Sequence, residues 1–400
     1  MIKKVIIRDF FSFRGKNEIP LNDGINIMCG INGSGKTSFL NAFKLLHEGV
    51  SGRGFERLFQ EQWGGFHQIA NANQEVKQIQ LIYVFDYKKL KQINQSSSCQ
   101  SDVSYSITIN RLGTSDYTIN EKIYADNEIG TPFYYLDISN GTGQIAAPFS
   151  DEPGKGWERY KYNQGELSGK ELFLNQIKDP RYIHIHTIRK AIESLKIYSD
   201  FNIREIRKPQ TESGNLSKLK SNGVNLAHLL NYIKNNKTLS YEKIEKNLSK
   251  INPDYKGIEV PYRGGGQLSI SLREKGLDRT IEALHISDGT LRYILLMSIL
   301  CNPDRGLFVG IDEPECGLHP DMIKSVCDMM KEASDSQIII ATHSPLLLNH
   351  FELEDILVFE KNEQNETKVK RYSENDFPDW EGDFLAGQMW LRGQIGGKRW

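Results

Sequence analysis

The eight residues Gly30-Ile31-Asn32-Gly33-Ser34-Gly35-Lys36-Thr37 match G-x-x-x-x-G-K-[ST] in full. They stand between an apolar run, Ile25-Asn26-Ile27-Met28, and a helical stretch from Thr37 to Leu46, the strand, loop, helix context that the motif needs. Glycines let successive amides curl into a nest for an anion at the start of a helix, where the backbone dipole adds to the attraction. In such a loop Asn32, Gly33, Ser34, Gly35, Lys36, Thr37 and Ser38 line the phosphates. Lys36 neutralises the β- and γ-phosphates and the Thr37 hydroxyl ligates Mg²⁺. The pattern points to ATP and Mg²⁺ as cofactors. A chance glycine turn ahead of a helix is the bland alternative.

Two later strand ends add chemistry. Gly306 to Glu315, Gly-Leu-Phe-Val-Gly-Ile-Asp-Glu-Pro-Glu, reads as a buried strand delivering Asp312 and Glu313 at its C-terminal end, the edge where parallel sheets bind ligands. Asp312 suits outer-sphere Mg²⁺ coordination and Glu313 suits polarising an attacking water; Glu315 reads as a turn residue. Ile339-Ile340-Ala341-Thr342-His343 ends another apolar strand in a histidine. A lone histidine is usually structural, but beside two nucleotide motifs His343 reads as a γ-phosphate sensor.

Around these motifs the chain reads as an α/β protein in three parts. Residues 1–150 hold the glycine loop and aromatic, strand-like runs (Ile79 to Phe85, Tyr105 to Asn110, Tyr117 to Tyr124, Phe133 to Ile138), an antiparallel β-subdomain with a polar Gln95 to Ser101 loop. Residues 151–260 read as an inserted helical lobe without sustained heptads, which excludes a long coiled-coil arm. Residues 261–400 begin with a hairpin loop at Gly264-Gly265-Gly266 and continue as strands alternating with helices, hence a parallel sheet.

Lys and Arg total 50 against 51 for Asp and Glu, so no global charge points to nucleic acid. Five cysteines without a C-x-x-C pair indicate a reducing compartment and no zinc site. No apolar run approaches the roughly 20 residues that span a bilayer, and the opening MIKKVIIRDF is too polar and short for a signal peptide. These features place the chain in the cytoplasm, without a membrane partner.

The order of the glycine loop, then Ile286-Ser287-Asp288-Gly289-Thr290, Asp312-Glu313, Gly317-Leu318-His319-Pro320-Asp321 and His343 resembles the ABC ATPase series of Walker A, signature, Walker B, D-loop and H-loop. The variant signature Ser-Asp-Gly-Thr, the opening Ile-Arg-Asp-Phe-Phe-Ser-Phe-Arg and the ending Leu385 to Trp400 resemble the OLD-like, RecF-related branch, which includes ATPase subunits of antiphage systems such as PARIS and Septu. The resemblance implies an ABC head with a mixed, largely parallel P-loop sheet, antiparallel β-subdomain and helical insert. It also implies a homodimer in which Ser287 and Gly289 touch ATP held by the partner copy. Ser287 is equally a helix N-cap. Arg14 resembles the family's early arginine near the nucleotide, with a surface ion pair as the alternative. The Q-loop glutamine falls among Gln60, Gln62 and Gln68, with Gln62 favoured as a metal contact.

Transporter heads keep the signature much closer to the P-loop, and tethering proteins of the SMC and Rad50 type need heptads. About 57 residues follow His343, too few for a fused nuclease, and Glu352, Glu354 and Asp355 read as a turn. The expectation is an ATPase controlling a separately encoded effector, read as a nuclease, in antiphage defence, with DNA or a phage trigger protein as further partners. A RecF-like DNA repair ATPase and a slowly turning assembly scaffold are the alternatives. The basic runs Arg204, Arg207, Lys208, Lys218, Lys220, Lys243, Lys246 and Lys250 are a weak DNA groove, more simply solvated helix faces. The aromatic tail Phe384 to Trp400 reads as a core-closing helix.

Overall fold

Alternation along Gln-Ile-Gln-Leu-Ile-Tyr-Val-Phe puts Ile79, Leu81, Tyr83 and Phe85 on one face of a strand, and all four are buried in the strand Gln78–Phe85. In the computed structural model, which describes every residue except 52–53, 73–74, 96–99, 115, 127–129, 149–155, 212–216, 378–384 and 397–400, this strand is third in an eight-stranded sheet. The order is Lys16–Pro20, Ile2–Arg8, Gln78–Phe85, Val103–Leu112, Asp116–Asp126, Pro132–Ser139, Thr142–Pro148, Trp157–Tyr162, with every pair antiparallel. The last strand, Trp-Glu-Arg-Tyr-Lys-Tyr, lies in the stretch that reads as helical. It is an edge strand, and its charged residues Glu158, Arg159 and Lys161 mask the alternation while blunting the exposed edge.

The chain divides into two compact units, Met1–Asp23 with Gly30–Leu195 and Phe359–Lys370, and Gly24–Cys29 with Lys196–Val358 and Arg371–Trp400. The antiparallel sheet belongs to the first. Its inner face carries Tyr83, Tyr105, Ile107 and Ile123 against the helix Lys36–Ser51, where Tyr83 Oη donates to the Ala42 carbonyl at 2.7 Å and the Phe43 and Tyr83 rings lie 5.9 Å apart. Each such apolar side chain contributes about 1.5–3 kcal/mol. Glu121 sits on the same face, fully buried. It accepts from Tyr105 Oη and from the amides of Phe173 and Leu174.

In the second unit the strands Phe308–Asp312, Gln337–Thr342, Ile25–Cys29 and the first residues of Ile356–Lys361 lie side by side in that order, all parallel. The helix Asp288–Leu300 is buried on nearly every side, which makes it the central helix of this unit; Leu291, Ile294 and Leu295 join Val309, Ile311, Val326, Ile338 and Ile340 in one core. Gly264–Gly266 turns a hairpin between Tyr262–Arg263 and Gln267–Leu268. Of the tail, Phe384 and residues 397–400 lie outside the described residues, as do 96–99 of the polar loop. The helix Ala386–Leu391 buries Met389 and Trp390 and docks Gly387 N on Asn349 Oδ1 at 2.9 Å. Among the described residues no helix is long and apolar enough to cross a membrane.

Candidate functional site

In the first unit the glycine loop is built as the motif requires. Gly33 and Gly35 have φ of 77° and 109°, conformations that glycine adopts at little cost. A Cβ on Gly35 would lie 2.3 Å from Thr367 Oγ1 and 2.8 Å from Ser12 Oγ. Those two side chains brace the loop from behind: Thr367 Oγ1 lies 2.7 Å from Ser12 Oγ and 2.8 Å from the Ser34 carbonyl, and Thr367 N donates to the Ser12 carbonyl at 2.9 Å. Lys36 is buried, its Nζ donating to the carbonyls of Gly30 at 2.7 Å and Ile31 at 3.2 Å. Asn32, Gly33 and Thr37 are exposed, and Ser38 Oγ lies 3.4 Å from Ser12 Oγ.

These residues fit a phosphate. The lysine is folded under the loop, the helix start supplies amides without helical acceptors, and the buried Ser34 Oγ has no partner. Among the described residues no three His, Cys, Asp or Glu side chains cluster to hold a metal.

Arg14 pairs with Glu366 at 2.7 Å. Gln62 ends a π-helical turn, Arg57–Gln62, with its side chain exposed; such turns often mark functional sites. Gln60 instead turns its amide inward, its buried Oε1 lacking a hydrogen-bond partner beside Gly65. Gln68 is exposed on the short helix Phe66–Ile69.

In the second unit the strand ends converge. Thr342 is paired with Cys29, the residue before the glycine loop in sequence, and Asp312 with Ala341, so Asp312, Thr342 and Cys29 share one C-terminal sheet edge. Glu313 adopts φ 47° and donates its amide to the Ala341 carbonyl at 2.8 Å. Its Oε1 lies 3.4 Å from His343 Nε2, with the two side chains 48% and 29% exposed. Glu315, read from the sequence as a turn residue, holds the backbone at the histidine in place: its Oε1 accepts from Thr342 Oγ1 at 2.5 Å and from His343 N at 3.0 Å.

Ser287 caps the helix Asp288–Leu300, its Oγ accepting from Thr290 N at 3.1 Å. A Cβ on Gly289 would lie 2.6 Å from the Gly317 carbonyl, so only glycine lets this helix start meet the turn at Gly317. Of the basic runs, Lys208 pairs with Glu205 and Lys243 with Glu332 at 2.6 Å each, and Arg207 pairs with Asp288.

The fold is that of an ABC-type ATPase head. An SMC head crystallised with the C-terminal winged-helix domain of ScpA superposes with a TM-score of 0.56 at 16% identity, over 94% of this chain and 99% of that one. An SMC head with an extended coiled coil, bound to the C-terminal domain of ScpA from Pyrococcus furiosus, gives 0.52 at 14%, over 94% and 97%. In sequence, 91 residues are 34% identical to an uncharacterised protein of Methanocaldococcus jannaschii, covering 22% of this chain. The aligned stretch spans 23% of that relative's length. The family described as AAA domain, putative AbiEii toxin, Type IV TA system matches residues 25–349, and the chain belongs to it.

Proposed function

We propose that the chain is an ATPase that binds ATP with Mg²⁺, dimerises around two nucleotides and controls a separately encoded effector, a nuclease in antiphage defence. The observation that carries the catalytic part is the Glu313–His343 contact, just past the end of the strand Gln337–Thr342 that pairs with Ile25–Cys29. Lys36 and the loop amides bind the β- and γ-phosphates. Thr37, Asp312 and Gln62 would hold Mg²⁺. Mg²⁺, when bound, offsets the charge developing on the phosphate oxygens. Glu313 accepts a proton from the attacking water, and His343 donates to the γ-phosphate while fixing Glu313. Ser287 and Gly289 reach the γ-phosphate of ATP held by a second copy, since the capped helix start presents amides to an anion.

A partner encoded elsewhere is supported by the family's description as a putative toxin of a Type IV TA system. The lobe between residues 151 and 260 is the surface proposed for that effector, a phage trigger protein or DNA. Internal pairing of Arg207, Lys208 and Lys243 weighs against the DNA groove of a RecF-like repair protein. The setting proposed is the cytoplasm.

The test is steady-state phosphate release with Glu313→Gln. Turnover vanishes while ATP-dependent dimers persist; unchanged turnover would remove Glu313 as the base. A slow scaffold would show ATP-driven dimers with negligible turnover in the unaltered chain. DNA cleavage by the purified chain alone with Mg²⁺ or Mn²⁺ would overturn the division of labour with an effector.

A further inference from the structure

Asp288 is the first residue of the helix Asp288–Leu300, and its carboxylate is largely solvent-exposed. A carboxylate in that position suits the helix dipole, but it stands where the proposed function brings an incoming γ-phosphate. An uncompensated negative charge beside a nucleotide triphosphate would repel it.

The structure supplies the compensation from Arg207, at the C-terminal end of the short helix Ile203–Ile206. Arg207, only 17% exposed, pairs its Nη2 with Asp288 Oδ1. Its Nη1 donates to the carbonyls of Ala283 at 2.5 Å and Leu284 at 3.1 Å, in the turn leading into Ser287. The planar fork of a guanidinium makes such a split contact, which a lysine cannot reproduce. Its basic neighbour Lys208 is spent on Glu205. A second contact from the same stretch lies one helical turn on: the Arg292 guanidinium sits 5.6 Å from the Phe201 ring centre, and its Nη1 lies 3.4 Å from the Glu313 carbonyl.

We infer that Arg207 is a positioning residue whose charge cancels that of Asp288, so that the start of this helix can accept the phosphate of ATP bound to a second copy. This rests on the proposed trans contact of Ser287 and Gly289. Two such contacts close each dimer. A loss of about threefold at each, within the range for a partly exposed ion pair, becomes about tenfold in the dimer dissociation constant.

The experiment measures ATP-driven dimerisation of the full chain by sedimentation velocity in the Glu313→Gln background with MgATP. Arg207→Ala weakens the dimer about tenfold. Adding Asp288→Asn to Arg207→Ala brings it back to within about twofold of Asp288→Asn alone. Arg207→Lys, which keeps the charge and loses the carbonyl fork, stays closer to the parent than Arg207→Ala. The deficit of Arg207→Ala also shrinks as salt is raised. An Arg207→Ala dimer as tight as the parent overturns the inference. So does a double variant as weak as Arg207→Ala, which would reduce Arg207 to a structural brace. If the Glu313→Gln parent forms no dimer with ATP, the trans-site reading itself falls, and this inference with it.

Discussion

His343 Nε2 lies 3.4 Å from Glu313 Oε1, and the two residues come from neighbouring parallel strands that end at the same level. The contact gives the carboxylate a fixed orientation without burying it.

Removing the histidine therefore affects chemistry more than binding. His343→Ala is expected to lower kcat for ATP about 100-fold, in the range for loss of one positioned polar group, with KM changed less than about threefold. Phosphate-release kinetics over a range of ATP concentrations read both, and a rise in KM at constant kcat would assign His343 to binding alone.

Glu315 acts one step behind. Its Oε1 holds the Thr342 hydroxyl and the His343 amide, charge-assisted bonds worth more than neutral ones. Glu315→Ala is expected to cost about tenfold in kcat, and Glu315→Gln, which keeps an acceptor oxygen, less. Equal losses in the two variants would point to the charge rather than the hydrogen bonds.

Gly35 has no room for a methyl group, with Thr367 Oγ1 2.3 Å from the place a Cβ would take, and its φ of 109° is foreign to alanine. Gly35→Ala is expected to weaken ATP binding at least tenfold, the equivalent of about 1.4 kcal/mol and within the usual cost of such strain. Equilibrium titration with a fluorescent ATP analogue measures it. Adding Thr367→Ala opens space yet leaves the backbone conformation unfavourable, so recovery is expected to be partial.

Glu121 carries a pH signature. Burial pushes its carboxyl up to about 7, against the hydrogen bonds from Tyr105, Phe173 and Leu174 that favour the anion. The folded chain thus holds a proton that the unfolded chain releases near 4.5. That preference stabilises the fold fully below the unfolded value and fades as pH rises towards 7, by on the order of 2–3 kcal/mol. Urea unfolding at pH 5 and pH 7.5 should show the loss, and Glu121→Gln should flatten it. A variant with the same pH dependence as the parent would assign the slope to other groups.

What the sequence made legible was local. Gly33 and Gly35 turn the backbone with positive φ as the motif demands, and Asp312, Glu313 and His343 stand at or just past the ends of two apolar strands, as their sequence context indicates. What it hid depends on partners far along the chain. Thr367 and Ser12 brace the glycine loop across hundreds of residues, and no spacing rule connects them. Glu315 looked like a turn acid because its work is done on His343, 28 positions later. The strand Trp157–Tyr162 was missed because an edge strand with alternate charges carries no apolar period. Among Gln60, Gln62 and Gln68, nothing in the spacing shows that Gln60 turns its amide inward while the other two face solvent, because packing sets that.

The division of the chain into two units has a consequence for ancestry. The backbone passes from one unit to the other at Asp23–Gly24, Cys29–Gly30, Leu195–Lys196, Val358–Phe359 and Lys370–Arg371, so neither unit is a contiguous cassette. A recombination event that cuts once cannot lift out either half, and the six residues Gly24–Cys29, stitched into the second unit, lead straight into the phosphate loop of the first. Moving either half into another chain would require cutting at several of those crossings at once.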